Sequence, residues 1–96
     1  MGIDDLSQNA REAIRLIAER HGAYNIRVFG SVARGEAHLQ SDLDLLVDVR
    51  PNHSAWFPGG LIADLEEFLE RHVEVVEPDA LDPLIRDAVL KEAILL

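Results

Sequence analysis

Two short apolar runs, residues 26–29 and 43–49, constrain this chain more tightly than anything else in it, because of what lies between them. The first, Ile26-Arg27-Val28-Phe29, is rich in strand-forming residues and stops at Gly30-Ser31. The second is almost continuously apolar after Asp44, as a buried central strand would be, and Arg50-Pro51 ends it. Ten residues separate Ser31 from Asp42. That is room for a brief helical turn over 32–36, closed by Gly35, and a return to the second strand. The chain must therefore build a strand, a tight corner and a second strand that opens on Asp42-Leu43-Asp44.

Around this centre, helical and extended spacings alternate. Over residues 7–21, Ala10, Ala13, Ile14, Ile17 and Ala18 form one apolar stripe, with Ser7 placed to cap the helix and Gly22 to stop it. Two prolines and a Gly-Gly pair make 51–60 a loop. Helical spacing returns over 61–71 through Leu61, Ile62, Leu65, Phe68 and Leu69, and 73–76 reads as a third strand. Asp82 caps a last helix with Pro83 in its first position, and Leu84, Ile85, Ala88 and Val89 form its apolar side. The expected fold is α/β in the α+β sense: a small, mixed, three-stranded sheet with helices on one face and a cleft on the other. Ninety-six residues fit one domain spanning 1–96.

Charge narrows the partners. Nine basic residues stand against eighteen acidic ones, for a net charge of −9. Nucleic-acid affinity is mostly phosphate neutralisation by Lys and Arg, so direct binding of free nucleic acid is not expected. Divalent cations or a basic protein surface suit such a chain better, although a solvated acidic surface accounts for much of the charge. No run is long and apolar enough to span a membrane, so no membrane association is expected. The start of the chain, MGIDDLSQNA, is acidic and polar, unlike a secretory leader. Cysteine is absent, which excludes disulfides and thiolate metal sites. The expected location is the cytoplasm.

Asp42 and Asp44 are two residues apart on an extended segment, so their carboxylates leave the same face. Either a cation relieves their repulsion, Mg²⁺ being the hard ion that takes carboxylates plus phosphate oxygens, or they face water. Gly30 lets a phosphate approach the backbone, and the Ser31 hydroxyl and neighbouring N–H groups can donate to it. Alone, a Gly-Ser pair after a strand is an ordinary turn. Together, Gly-Ser, ten residues and Asp-x-Asp arise by chance in about one chain in a thousand of this length.

The segment FGSVARGEAHLQSDLDLLVDV, residues 29–49, resembles the core motif of the minimal nucleotidyltransferase (MNT) family, within the DNA polymerase β-like nucleotidyltransferase superfamily. The Pro/Gly loop, the acidic helix and HVEVVEPDAL extend the resemblance over nearly the whole chain. It implies a prokaryotic enzyme that uses ATP as substrate and two Mg²⁺ ions to transfer AMP to a hydroxyl. In some members the acceptor is a tyrosine of a helical HEPN-type toxin, for which the enzyme is the antitoxin. Carried over, Gly30 and Ser31 hold the β- and γ-phosphates, and Asp42 and Asp44 hold the two ions. Glu74 stands where the family more often has a third Asp; it either ligates at one methylene's greater reach or is a solvated edge-strand glutamate. Arg34, in the family's Ala-Arg-Gly, either steadies a phosphate or pairs with Glu36. Ser41 either orients Asp42 or serves the turn.

Two other readings follow: an antitoxin that binds and masks its partner without turnover, and a transferase acting on a small molecule, whose relatives usually carry a further acceptor domain. Asp48 shares the face of the aspartate pair but lies too far along to join it, and solvent is its expected surrounding. None of the four histidines is assigned a role. Trp56 and Phe57 either stack on adenine, bind a partner or plug the core edge. The last helix runs into Ala93-Ile94-Leu95-Leu96, an apolar end that suggests an interface, with a homodimer through that helix or with the HEPN-type partner.

Overall fold

The computed structural model describes residues 6–36 and 42–96. Its elements follow one another as α1 (Gln8–Arg20), β1 (Ala23–Phe29), α2 (Gly30–Ala33), β2 (Leu43–Val49), α3 (Gly59–Leu69), β3 (Val73–Val76), a 3₁₀ turn (Pro78–Ala80), α4 (Pro83–Glu92) and β4 (Ile94–Leu95). The sheet order is β3-β2-β1-β4. β1 runs antiparallel to both β2 and β4, whereas β2 and β3 are parallel, with α3 as the crossover between them. The sheet is mixed, as expected. It has four strands rather than three.

The fourth strand comes from the apolar end assigned to the last helix. Ala93 leaves α4 in an extended conformation. Ile94 and Leu95 then pair with Val28 and Arg27, and the Leu96 N–H donates to the Ile26 carbonyl at 3.0 Å. So short an apolar run carries no period that separates helix from strand; the open edge of β1 decides it by offering ladder partners. The extent of the last helix is corrected accordingly, since Ile94 and Leu95 form an edge strand and Leu96 packs against the core.

Local chemistry explains most of the remaining boundaries. The Ser7 hydroxyl accepts from the Ala10 N–H at 3.0 Å, capping α1. Asp82 accepts from the Leu84 N–H at 2.9 Å, with Pro83 in the first turn of α4. β1 starts earlier than its apolar run because Asn25 takes φ +51°, absorbing a register shift against β2. Its side-chain amide donates to Asp48 at 2.9 Å, and Arg27 pairs with Asp48 at 3.2 Å. Asp48, expected in solvent, is thus tied to β1.

α1 and α3 cover one face of the sheet. Ile14 and Ala18 from α1, Leu61 and Leu65 from α3, and Val28, Leu43, Leu45 and Val47 from the strands form one buried cluster, joined by Val32 of α2. Alternation along β2 then sends Asp44, Leu46 and Asp48 to the opposite face. His21 closes the covered face at one end: Nδ1 lies 3.0 Å from the Ser54 hydroxyl and Nε2 2.7 Å from Asp64. Its carbonyl also accepts from the Ser54 N–H, so this histidine ties the loop after β2 to α1 and α3. In the same loop Phe57 packs on the core while Trp56 is 83% exposed. The adjacent aromatics divide, and only Phe57 plugs the core edge.

Candidate active site

The corner between β1 and α2 brings the two halves of the motif into contact. Gly30 follows Phe29, and Phe29 lies opposite Asp44 in the antiparallel register. Gly30 takes φ +75°, a left-handed conformation that disfavours side chains. A Cβ there would also strike the Asp44 carboxylate. Backbone and space both require glycine, and the reason is the aspartate fourteen positions on. Ser31 follows as the second residue of α2, half-buried.

On its other side, Asp44 lies directly opposite Glu74 in the parallel register. Asp42, just before β2, is exposed. Asp44 and Glu74 share a side-chain hydrogen bond, and Asp42 is near enough to repel Asp44. Burial is the main reason that the Asp44 carboxyl is pushed up to about 6; its hydrogen bond with Glu74 and repulsion from Glu74 and Asp42 add to it, and Arg34 opposes it. A carboxyl that keeps its proton this long is one for which a cation would substitute well. Among the described residues, no three acidic or imidazole groups are spaced to enclose a metal unaided. The donor set still fits Mg²⁺, which takes one or two carboxylates and completes its shell with water and substrate phosphate.

Arg34 reaches the site from just beyond α2. Its Nε donates to Glu36 at 3.1 Å, and its Nη1 donates to both carboxylate oxygens of Glu92 at 3.1 Å. The expected pairing with Glu36 is present, and Arg34 is also near enough to Asp44 to favour its ionised form. Glu92 itself was missed by sequence reasoning. Its Oε1 accepts the Gly30 N–H at 2.5 Å. No motif carries it; the β1–β4 register does, because continuing that antiparallel pairing two places beyond Val28 and Ile94 sets Glu92 opposite Gly30. Ser41 lies outside the described residues.

The structure therefore gathers Gly30, Ser31, Arg34, Asp42, Asp44 and Glu74 around one corner and adds Glu92. A glycine corner beside converging carboxylates and a guanidinium can hold a phosphate chain through a divalent cation.

Comparison with known proteins identifies the family and the fold. The family described as nucleotidyltransferase domain matches residues 10–96. Protein adenylyltransferase MntA of Thermococcus cleftensis is 39% identical over 83 residues, covering 81% of this chain and 79% of that protein. A solved structure described as a candidate minimal nucleotidyltransferase superposes with a TM-score of 0.83 at 44% identity, over 100% of this chain and 97% of the other. A second, described as a toxin–antitoxin with AMP-PNP, shares the fold with a TM-score of 0.74 at 20% identity, over 88% of this chain and 70% of that one.

Proposed function

This chain belongs to the nucleotidyltransferase domain family and is a nucleotidyltransferase, and from that premise we propose that, as a single domain, it transfers AMP from ATP to a hydroxyl of a toxin partner, acting as the antitoxin. The observation that carries the proposal is the meeting of Asp44 with Glu74 on one side and Gly30 on the other. The name of the Thermococcus relative supports a protein acceptor, and the toxin–antitoxin fold neighbour supports the kind of partner. The net charge of −9 complements a basic protein. A helical HEPN-type toxin with a tyrosine acceptor is the form of partner this reading takes.

Asp42, Asp44 and Glu74 would hold Mg²⁺, which when bound neutralises phosphate charge and stabilises the attacking and leaving oxygens of an in-line displacement. Gly30 opens the corner to the phosphate chain, the Ser31 hydroxyl donates to it, and Arg34 balances its charge. The acceptor oxygen bonds to the α-phosphorus as the bond from that phosphorus to the bridging oxygen breaks. Pyrophosphate departs with the electron pair, and Glu74, on the edge of the sheet, accepts the hydroxyl proton.

Labelled ATP tests the reaction type. Label at the α-phosphorus should enter the partner, and label at the γ-phosphorus should not. Transfer of the γ label would replace nucleotidyl transfer by phosphorylation. A partner that takes up neither label, yet is silenced equally by the protein and its Asp42→Asn plus Asp44→Asn variant, would show masking without turnover.

A further inference from the structure

We propose that Glu92 is a positioning residue for nucleotide binding, acting through the Gly30 peptide and the Arg34 guanidinium; the proposal rests on the nucleotide reading of this corner. Glu92 is the last residue of α4, and the chain turns immediately into β4. Alternation along β1 points alternate backbone groups to the same edge. The Ile26 carbonyl faces β4 and accepts from Leu96, and two steps of that alternation bring the Gly30 N–H to the same side. There β4 has already ended, and the Glu92 carboxylate takes the place of a strand carbonyl. It completes the ladder from its edge.

Three consequences follow. The peptide joining Phe29 to Gly30 is fixed by a 2.5 Å charge-assisted bond. The corner that presents Ser31 is thereby held in the left-handed conformation that leaves room for Asp44. The Arg34 guanidinium, 47% exposed, is gripped by Glu92 at Nη1 and by Glu36 at Nε. A long cation that would otherwise sample solvent is kept beside the carboxylates. Glu92, at 26% exposure, is the more sheltered of its two acidic partners.

Calorimetric titration of the full chain with a non-hydrolysable ATP analogue and Mg²⁺ tests this, with melting temperatures measured in parallel. Glu92→Ala should bind about tenfold more weakly, as expected for loss of charge-assisted contacts that organise a site. Glu92→Gln keeps a neutral acceptor for the Gly30 N–H and should recover about half of that loss on a logarithmic scale. Because Glu92 works partly through Arg34, the double variant with Arg34→Ala should lose less than the product of the two single losses. A lowered melting temperature with unchanged affinity would reduce Glu92 to a structural support and overturn the proposal. Tighter binding by either variant would make Glu92 a competitor of phosphate and overturn it equally. Should Glu92→Ala fail to fold, unchanged affinity in Glu92→Gln alone overturns it. Absence of binding by the unaltered protein would overturn the nucleotide reading and the role of Glu92 with it, whereas normal binding that ignores Glu92 removes only the latter.

Discussion

The β1–α2–β2 segment and the α4–β4 segment touch at Gly30, yet they are held in opposite ways. In the first, Val28, Val32, Leu43, Leu45 and Val47 are fully buried, and Asp44 stands on a strand with neighbours on both sides. In the second, α4 buries no residue at all. Its expected apolar side is open: Leu84 is 92% exposed and Ile85 50%. Apart from Leu96, which packs on the core just past β4, what fixes α4–β4 is polar: the Asp82 cap, the β1–β4 ladder and the Glu92 contacts with Gly30 and Arg34. A site can thus rest on an apolar base while one of its walls is attached by hydrogen bonds and keeps apolar side chains exposed.

Substitutions can break or sharpen that contrast. The largest effect is expected at the base of the site. Asp44→Asn should lower AMP transfer on the order of 10²–10³-fold, measured as initial rate under saturating ATP. Next comes packing. Leu45→Ala, in the fully buried centre, should cost about 2–5 kcal/mol of unfolding free energy in a denaturant titration. Gly30→Ala imposes a left-handed alanine whose Cβ meets Asp44, and should cost about 2 kcal/mol in the same titration.

A smaller effect separates the site's chemistry from its stability. The Asp44 carboxyl, raised from 3.8 to about 6, binds its proton more tightly in the folded protein than in the unfolded chain. Its stabilising contribution is therefore complete below about pH 3.8 and is lost as pH rises through about 6. Asn cannot ionise and escapes that loss. Asp44→Asn should accordingly be more stable than the unaltered protein at pH 7.5, by about 1 kcal/mol after allowance for solvent screening. The difference should vanish near pH 4. Activity and stability then move in opposite directions at one residue, as expected where like charges are gathered for function. Smallest of all, Leu84→Ala should change stability by no more than about 0.5 kcal/mol. A large loss there would mean that α4 is packed after all.

The same contrast governs what could be read in the sequence. Gly30-Ser31 and Asp42-Leu43-Asp44 were legible because the two groups flank adjacent strands, so a fixed spacing in the chain reflects a fixed contact in space. Glu74 was reached only through the family resemblance, and the parallel pairing of β3 with β2 is what sets it opposite Asp44. Glu92 was not: it reaches the site through β4, and Ile94-Leu95 is too short to announce itself as a strand. Asp48 was misplaced in solvent because its partner Asn25 sits in a bulge, and bulges leave no period in the sequence. Likewise, the apolar stripe of α4 was visible as a pattern, but a pattern does not say whether the face is covered by this chain or left for another.

The most direct test of the central claim is the intact mass of the proposed toxin partner after incubation with ATP, Mg²⁺ and either the unaltered protein or Asp44→Asn. The unaltered protein should add the mass of one or more AMP groups, and Asp44→Asn should add none over the same interval. An unchanged mass with an active partner, or equal addition by the two proteins, would contradict a nucleotidyl-transfer site built on Gly30 and Asp44.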